Sequence, residues 1–232
     1  YLEANDCMKL HRNQLSVMNI QYKYFPLSQF LNDAVDCGLG NIELWGAAPH
    51  FHLEDMTSAD VGSVRQEIES RNLKLVCYPP EQCVHQINLA ADSPAERIRS
   101  IRFFEHNIRA ASELGSDKML ITSGWGYFDG SNCNRAWERS SQALYQIAEL
   151  GKQYGVRLAL EVLSRDESKL VNDLASLNKR LAQVNHTNLY AVLDTIPMVL
   201  AGEEPADYLE SLGEKLSHIH FIDGAPRGHL AW

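Results

Sequence analysis

The stretch QYGVRLALEVLSRDES, Gln153–Ser168, runs from a helix end through a glycine into an aliphatic run and out into a polar loop. A glycine just past a helix supplies the left-handed residue that stops it. The aliphatic run that follows has the character of a strand buried on both faces. One residue does not fit: Glu161 stands among Leu158, Ala159, Leu160, Val162 and Leu163. A carboxylate withdrawn from water is costly unless a partner charge or a metal compensates it.

The same grammar recurs in DCGLGNIELW (Asp36–Trp45), ELGSDKMLIT (Glu113–Thr122) and SLGEKLSHIHF (Ser211–Phe221). Each reads as helix end, glycine, short link and apolar strand. The candidate strands are Leu15–Ile20, Asn41–Trp45, Leu73–Tyr78, Lys118–Ser123, Val156–Leu163, Leu189–Asp194 and Leu216–Ile222. Between them lie stretches with apolar residues at helical spacing, such as Ala95–Leu114 and Arg135–Tyr154. Ser93, Pro94 and Glu96 make an N-terminal signature for the first of these, a capping box with proline at the first helical position.

Alternating strands and helices with short turns point to a parallel α/β architecture over residues 1–232 as a single domain. A doubly wound sheet competes with a (β/α)₈ barrel. The turn after the first strand, NIQYKYFPLSQF, carries no G-x-G-x-x-G phosphate loop, which weakens the dinucleotide-binding alternative. A barrel demands chemically able residues at the C-terminal ends of several strands. They are there: Glu43 and Trp45, Glu81 in YPPE, TSGW at Thr122–Trp125, Glu161, Asp194, and His218 with His220. The expectation is therefore a barrel. Seven strands are counted where closure needs eight, so the supplied chain is expected to be C-terminally incomplete, with the eighth strand beyond Trp232.

Composition sets the outer bounds. Of 232 residues, 45% are hydrophobic and 22% charged, the balance of a soluble globular protein. No apolar run reaches the roughly 18 residues that span a bilayer, and Tyr1–Gln14 lacks the apolar core of a signal peptide. The five cysteines, Cys7, Cys37, Cys77, Cys83 and Cys133, are odd in number and never spaced C-x-x-C. That argues against a disulfide framework or a cysteine zinc site and fits a reducing cytoplasm. A net charge of −9 gives no general attraction for nucleic acid. A small neutral or weakly charged molecule is the expected partner, and a homo-oligomer is compatible with the chain.

Glu161, Asp194 and His220 occupy equivalent places on three successive strands. In a barrel they converge on the axis and make an open O,O,N site for a divalent cation. Such a set suits Mn²⁺, Mg²⁺ or Co²⁺ better than a sulfur-rich Zn²⁺ site would. The competing reading pairs Glu161 with Arg157 or Arg165 and leaves the histidine in the core. Trp45, His50, His52 and Trp125 follow strand ends and offer ring walls for a sugar. His218 shares a strand face with His220, and Glu167 lies in the loop after the fifth strand.

On IELWGAAPHFH, YPPE, LALEVLSRDES, VLDT and GEKLSHIHFIDG the sequence resembles the xylose-isomerase-like sugar phosphate isomerases and epimerases, most closely the ketose 3-epimerases. The resemblance implies a metal-dependent epimerase or isomerase of a ketose or ketose derivative, working through proton abstraction beside the carbonyl and a cis-enediolate. It makes Glu161, Asp194 and His220 the metal ligands and Glu161 also the base. Glu167, six residues after Glu161, becomes a substrate contact. Departures stand beside it: Pro197 holds the place of a histidine, and Arg227 lies seven residues past His220 where these epimerases have a substrate arginine at six. Aldose–ketose isomerisation, as in hydroxypyruvate or xylose isomerase, and inosose dehydration share the scaffold. An endonuclease-IV-type nuclease and a non-catalytic sugar-binding protein are more distant readings.

Overall fold

The computed structural model describes residues 11–84 and 86–222. Among these residues seven parallel strands appear in the order expected: β1 (Val17–Met18), β2 (Asn41–Glu43), β3 (Lys74–Cys77), β4 (Lys118–Ile121), β5 (Arg157–Glu161), β6 (Leu189–Asp194) and β7 (Leu216–His220). Among the described residues seven α-helices connect them or follow them: α1 (Leu27–Asp36), α2 (Ser58–Glu69), α3 (Pro94–Leu114), α4 (Cys133–Gln153), α5 (Leu174–Val184), α6 (Thr195–Ala201) and α7 (Pro205–Leu212). Neighbours in sequence are neighbours in space. The ladders run β1–β2–β3 and β4–β5–β6–β7, and Tyr78 joins them by accepting from Leu120 N and donating to Lys118 O.

The sheet is curled into a barrel, and side chains prove it. Five strand spacings separate β2 from β7, roughly 24 Å in a flat sheet. Yet Glu43 of β2 lies 2.8 Å from His218 and 3.2 Å from His220 of β7. Lys118 of β4 also donates to Ser217 O of β7 at 2.7 Å. Only a curved sheet brings these strands together across an axis.

Alternation along the strands then sorts the side chains. Leu158, Leu160 and Val162 face outward into a core shared with Phe30, Ile68, Ile108, Ile147 and Leu177 of the helices. Ala159 faces inward with Cys77, Leu120 and Val192, a small separate cluster on the axis. The strand sequence is aliphatic throughout because both of its faces are covered, one by helices and one by the opposite wall.

The first strand is shorter than Leu15–Ile20: after Met18 the chain turns into a 3₁₀ segment, Asn19–Tyr22. The reason is Asn19, whose side-chain oxygen accepts from Trp45 N at 2.6 Å and so takes the place of the next rung. Ser93 caps α3 as expected, accepting from Glu96 N, with Pro94 at the helix start and Gly115 at φ 81° closing it. Cys37, Cys77, Cys83 and Cys133 are free thiols. Among the described residues no helix is long and apolar enough to cross a membrane.

Candidate active site

The C-terminal ends of the strands open into a cavity of about 400 Å³. Its floor is Glu161, Asp194 and His220. Glu161 Oε1 lies 2.6 Å from His220 Nδ1, and Asp194 Oδ2 lies 4.0 Å from the same nitrogen. The three donor atoms all fall within 4.8 Å of one another. They do not share one rung of the ladder. Asp194 pairs with His220, but Glu161 pairs with Val192, two residues lower. Tilted strands explain this, because equal height on a barrel axis means a staggered register.

Neither arginine rescues Glu161. Arg157 pairs with Asp117 at 2.8 Å, and Arg165 pairs with Asp173 at 3.8 Å. The nearest positive charge is His220 itself. Burial would lower the His220 pKa, but the adjacent Glu161 and the Glu43 carboxylate outweigh it and raise it well above the ordinary imidazole value. Asp194 is pushed up to about 7 by burial and by the charge of Glu161, against the hydrogen bond from Ile196 N at the start of α6. Two crowded, sheltered carboxylates thus draw a positive charge to themselves. A divalent cation fits that demand and that O,O,N donor set.

The walls have distinct chemistry. Trp45 stands on one side, its indole N–H donating to Glu81 at 3.1 Å. Glu167, Asp166 and Ser164 form a polar rim in the loop after β5, where Ser164 N donates to Glu167 at 3.0 Å. Met18, Ile20, Ile196 and Pro197 make an apolar flank.

Of the residues singled out in the sequence, Glu161, Asp194, His220, Glu167 and Trp45 meet at this cavity. His50 does not line it: its ring is spent on Asn19 at 2.9 Å and on Phe25 O at 2.7 Å, bracing the loops behind Trp45. His218 also stands back from it, bonded to Glu43. Arg227 lies outside the described residues. Glu43 is the group that sequence reasoning left without a role. It is only 4% exposed, and its hydrogen bonds from His218 and His220 hold its pKa well below the carboxylate range although burial works the other way. The signal was present in NIELW, a lone glutamate in an aliphatic strand like Glu161.

Comparison with known proteins agrees with the fold. The family model for the xylose isomerase-like TIM barrel matches residues 31–230. Fructoselysine 3-epimerase of Shigella flexneri is 25% identical over 203 residues, covering 87% of this chain and 73% of its own. L-ribulose 3-epimerase of Mesorhizobium japonicum is 26% identical, covering 78% of this chain and 60% of its own. Among solved structures, an L-ribulose 3-epimerase superposes with a TM-score of 0.78 at 20% identity, over 91% of this chain and 70% of the other. The chain belongs to the xylose isomerase-like TIM barrel family.

Proposed function

We propose that the protein is a divalent-cation-dependent epimerase of a ketose or ketose derivative, inverting the carbon next to the carbonyl. The observation that carries this is the floor of the cavity: two carboxylates and one imidazole nitrogen, sheltered and mutually within 4.8 Å. The relatives named as 3-epimerases support an isomerase-type enzyme with a small sugar as substrate. Mn²⁺ is the proposed ion, and the cytoplasm the proposed setting.

Glu161, Asp194 and His220 would hold the cation, which when bound supplies electrophilic stabilisation to the negative charge that develops on the sugar oxygens. The remaining work falls to the chain. Glu161 lines the cavity with its carboxylate largely sheltered from solvent, so it is placed to take the proton from the carbon beside the carbonyl. The aliphatic shell of β5 keeps bulk water from that oxygen. Trp45 offers a ring face to the C–H side of a sugar, while Glu167 and Asp166 offer acceptors to hydroxyls. The apolar flank at Ile196 and Pro197 favours a substrate with a less polar part pointing that way.

A screen of ketoses with added Mn²⁺ in deuterated water tests the proposal. Epimerisation puts deuterium at C3 and yields the C3 epimer. Uptake at C1 or C2 would make the protein an aldose–ketose isomerase instead. A second reading comes from 3-dehydroshikimate dehydratase of Bacillus anthracis, 23% identical over 89% of this chain. Dehydration begins with the same proton removal and then expels a hydroxyl, so it would appear as loss of water from the substrate. No exchange at any carbon with any cation overturns the proposal.

A further inference from the structure

We infer that Glu43 is a positioning residue that fixes the tautomer of His220, so that the ring presents Nδ1 to the cation; the inference rests on reading Glu161, Asp194 and His220 as the cation site. Glu43 Oε1 lies 2.8 Å from His218 Nε2 and 2.9 Å from Ser16 Oγ, and Oε2 lies 3.2 Å from His220 Nε2. A carboxylate offers only lone pairs, so all three partners must donate. His220 Nε2 therefore carries a hydrogen. By the same rule Nδ1 donates to Glu161 at 2.6 Å in the metal-free ring, and this proton, on the nitrogen 4.0 Å from Asp194 and between the two carboxylate ligands, is the one a cation would replace while Glu43 keeps the other on Nε2.

The rest of the network runs in the same direction. With its Nε2 hydrogen given to Glu43, His218 has an accepting Nδ1, and that atom faces Lys118 Nζ at 3.5 Å. The lysine ammonium has only hydrogens to offer and also donates to Ser217 O. Donation thus passes from Lys118 to His218 to Glu43, and His220 donates into Glu43 from the other side. Glu43, His218 and His220 lie close enough to hold a cation of their own, but each of their contacts is a hydrogen bond of ordinary length. Glu43 does not line the cavity, so it acts through His220 and not on the sugar. A carboxylate behind a metal-bound imidazole fixes ring orientation and raises ligand basicity, and losing it costs about ten- to a hundred-fold in metal affinity.

The test is Mn²⁺ binding by the full chain, followed by calorimetry and electron paramagnetic resonance at constant pH. Glu43→Gln keeps the volume but replaces one accepting oxygen by an NH₂ group, which cannot accept from both imidazoles. The expected result is a dissociation constant raised about ten- to a hundred-fold, with the circular dichroism spectrum unchanged. A change below about threefold, inside the scatter of such contributions, overturns the inference. A second measurement needs no variant: in the Zn²⁺-loaded wild type, long-range ¹H–¹⁵N spectra should place the His220 proton on Nε2. A proton on Nδ1 overturns the inference even if Glu43→Gln does not fold. A wild type that binds neither ion removes the cation site, and the proposed function fails with it. A wild type that binds while Glu43→Gln binds equally well defeats the positioning role alone.

Discussion

At the scale of single residues, Asp194 and His220 make the site sensitive to pH. Both have raised pKa values in the fold, Asp194 to about 7. A group with a raised folded value stabilises the fold below its unfolded pKa and loses that contribution as pH rises through the folded one. For Asp194 the window runs from about 4 to about 7. Glu43, with its lowered pKa, acts only below that range. The metal-free chain should therefore melt at a lower temperature at pH 8 than at pH 5.5. Mn²⁺ affinity should move the opposite way and rise across the same interval, because the cation displaces these protons. Calorimetry in two buffers of different ionisation enthalpy checks both, and proton release near zero at pH 6 would contradict the assignment. Glu161 and Asp194 stood out because each is a polar residue at the end of an aliphatic run, and His220 because it holds the equivalent place on the next strand. Glu43 was equally conspicuous, but its partners lie 175 and 177 positions away, and no local pattern reports them.

At the scale of elements, the helix and strand order was legible because two periodicities and a recurring glycine marked it. Lengths were not. β1 stops at Met18 because the Asn19 side chain substitutes for a backbone partner, a tertiary event. Gly151 shows the same conflict inside α4. By helix propensity, alanine there should stabilise by about 1 kcal/mol. But a Cβ at Gly151 would come within 2.7 Å of Val156 O, where α4 meets the start of β5. Overpacking against backbone costs about 1–3 kcal/mol and wins. Gly151→Ala is expected to lower the urea midpoint with an unchanged slope. A raised midpoint would mean that the helix can shift away at little cost.

At the scale of the whole molecule, the curling of the strands into a barrel wall is what brings scattered residues into one site. The strand-end residues implied it, but its geometry, with Glu43 reaching across the axis, required coordinates. Tyr78 is the joint between the two ladders, and its hydroxyl donates to Asn107 of α3 at 2.6 Å in a fully buried position. Tyr78→Phe leaves the Asn107 oxygen without that donor and should destabilise the chain by about 1–3 kcal/mol. Because Tyr78 does not line the cavity, Mn²⁺ affinity should stay near that of the wild type. Thermal melting and metal titration of the same sample separate the two effects, and a large loss of affinity would show that the joint controls the site.

The central claim is that Glu161 both holds the cation and moves the substrate proton. Glu161→Gln keeps the volume, removes the charge and leaves a group that is easier to bury. The measurement is the rate of solvent deuterium incorporation at C3 of the ketose that the wild type turns over, with Mn²⁺ saturating. The expected result is a rate reduced at least about 10²-fold, with the circular dichroism spectrum of the metal-free chain unchanged. Glu167→Gln, measured alongside, should weaken substrate binding while the ion stays bound. Near-normal deuterium exchange by Glu161→Gln would contradict the account and leave Glu161 as a buried ion-pair partner of His220.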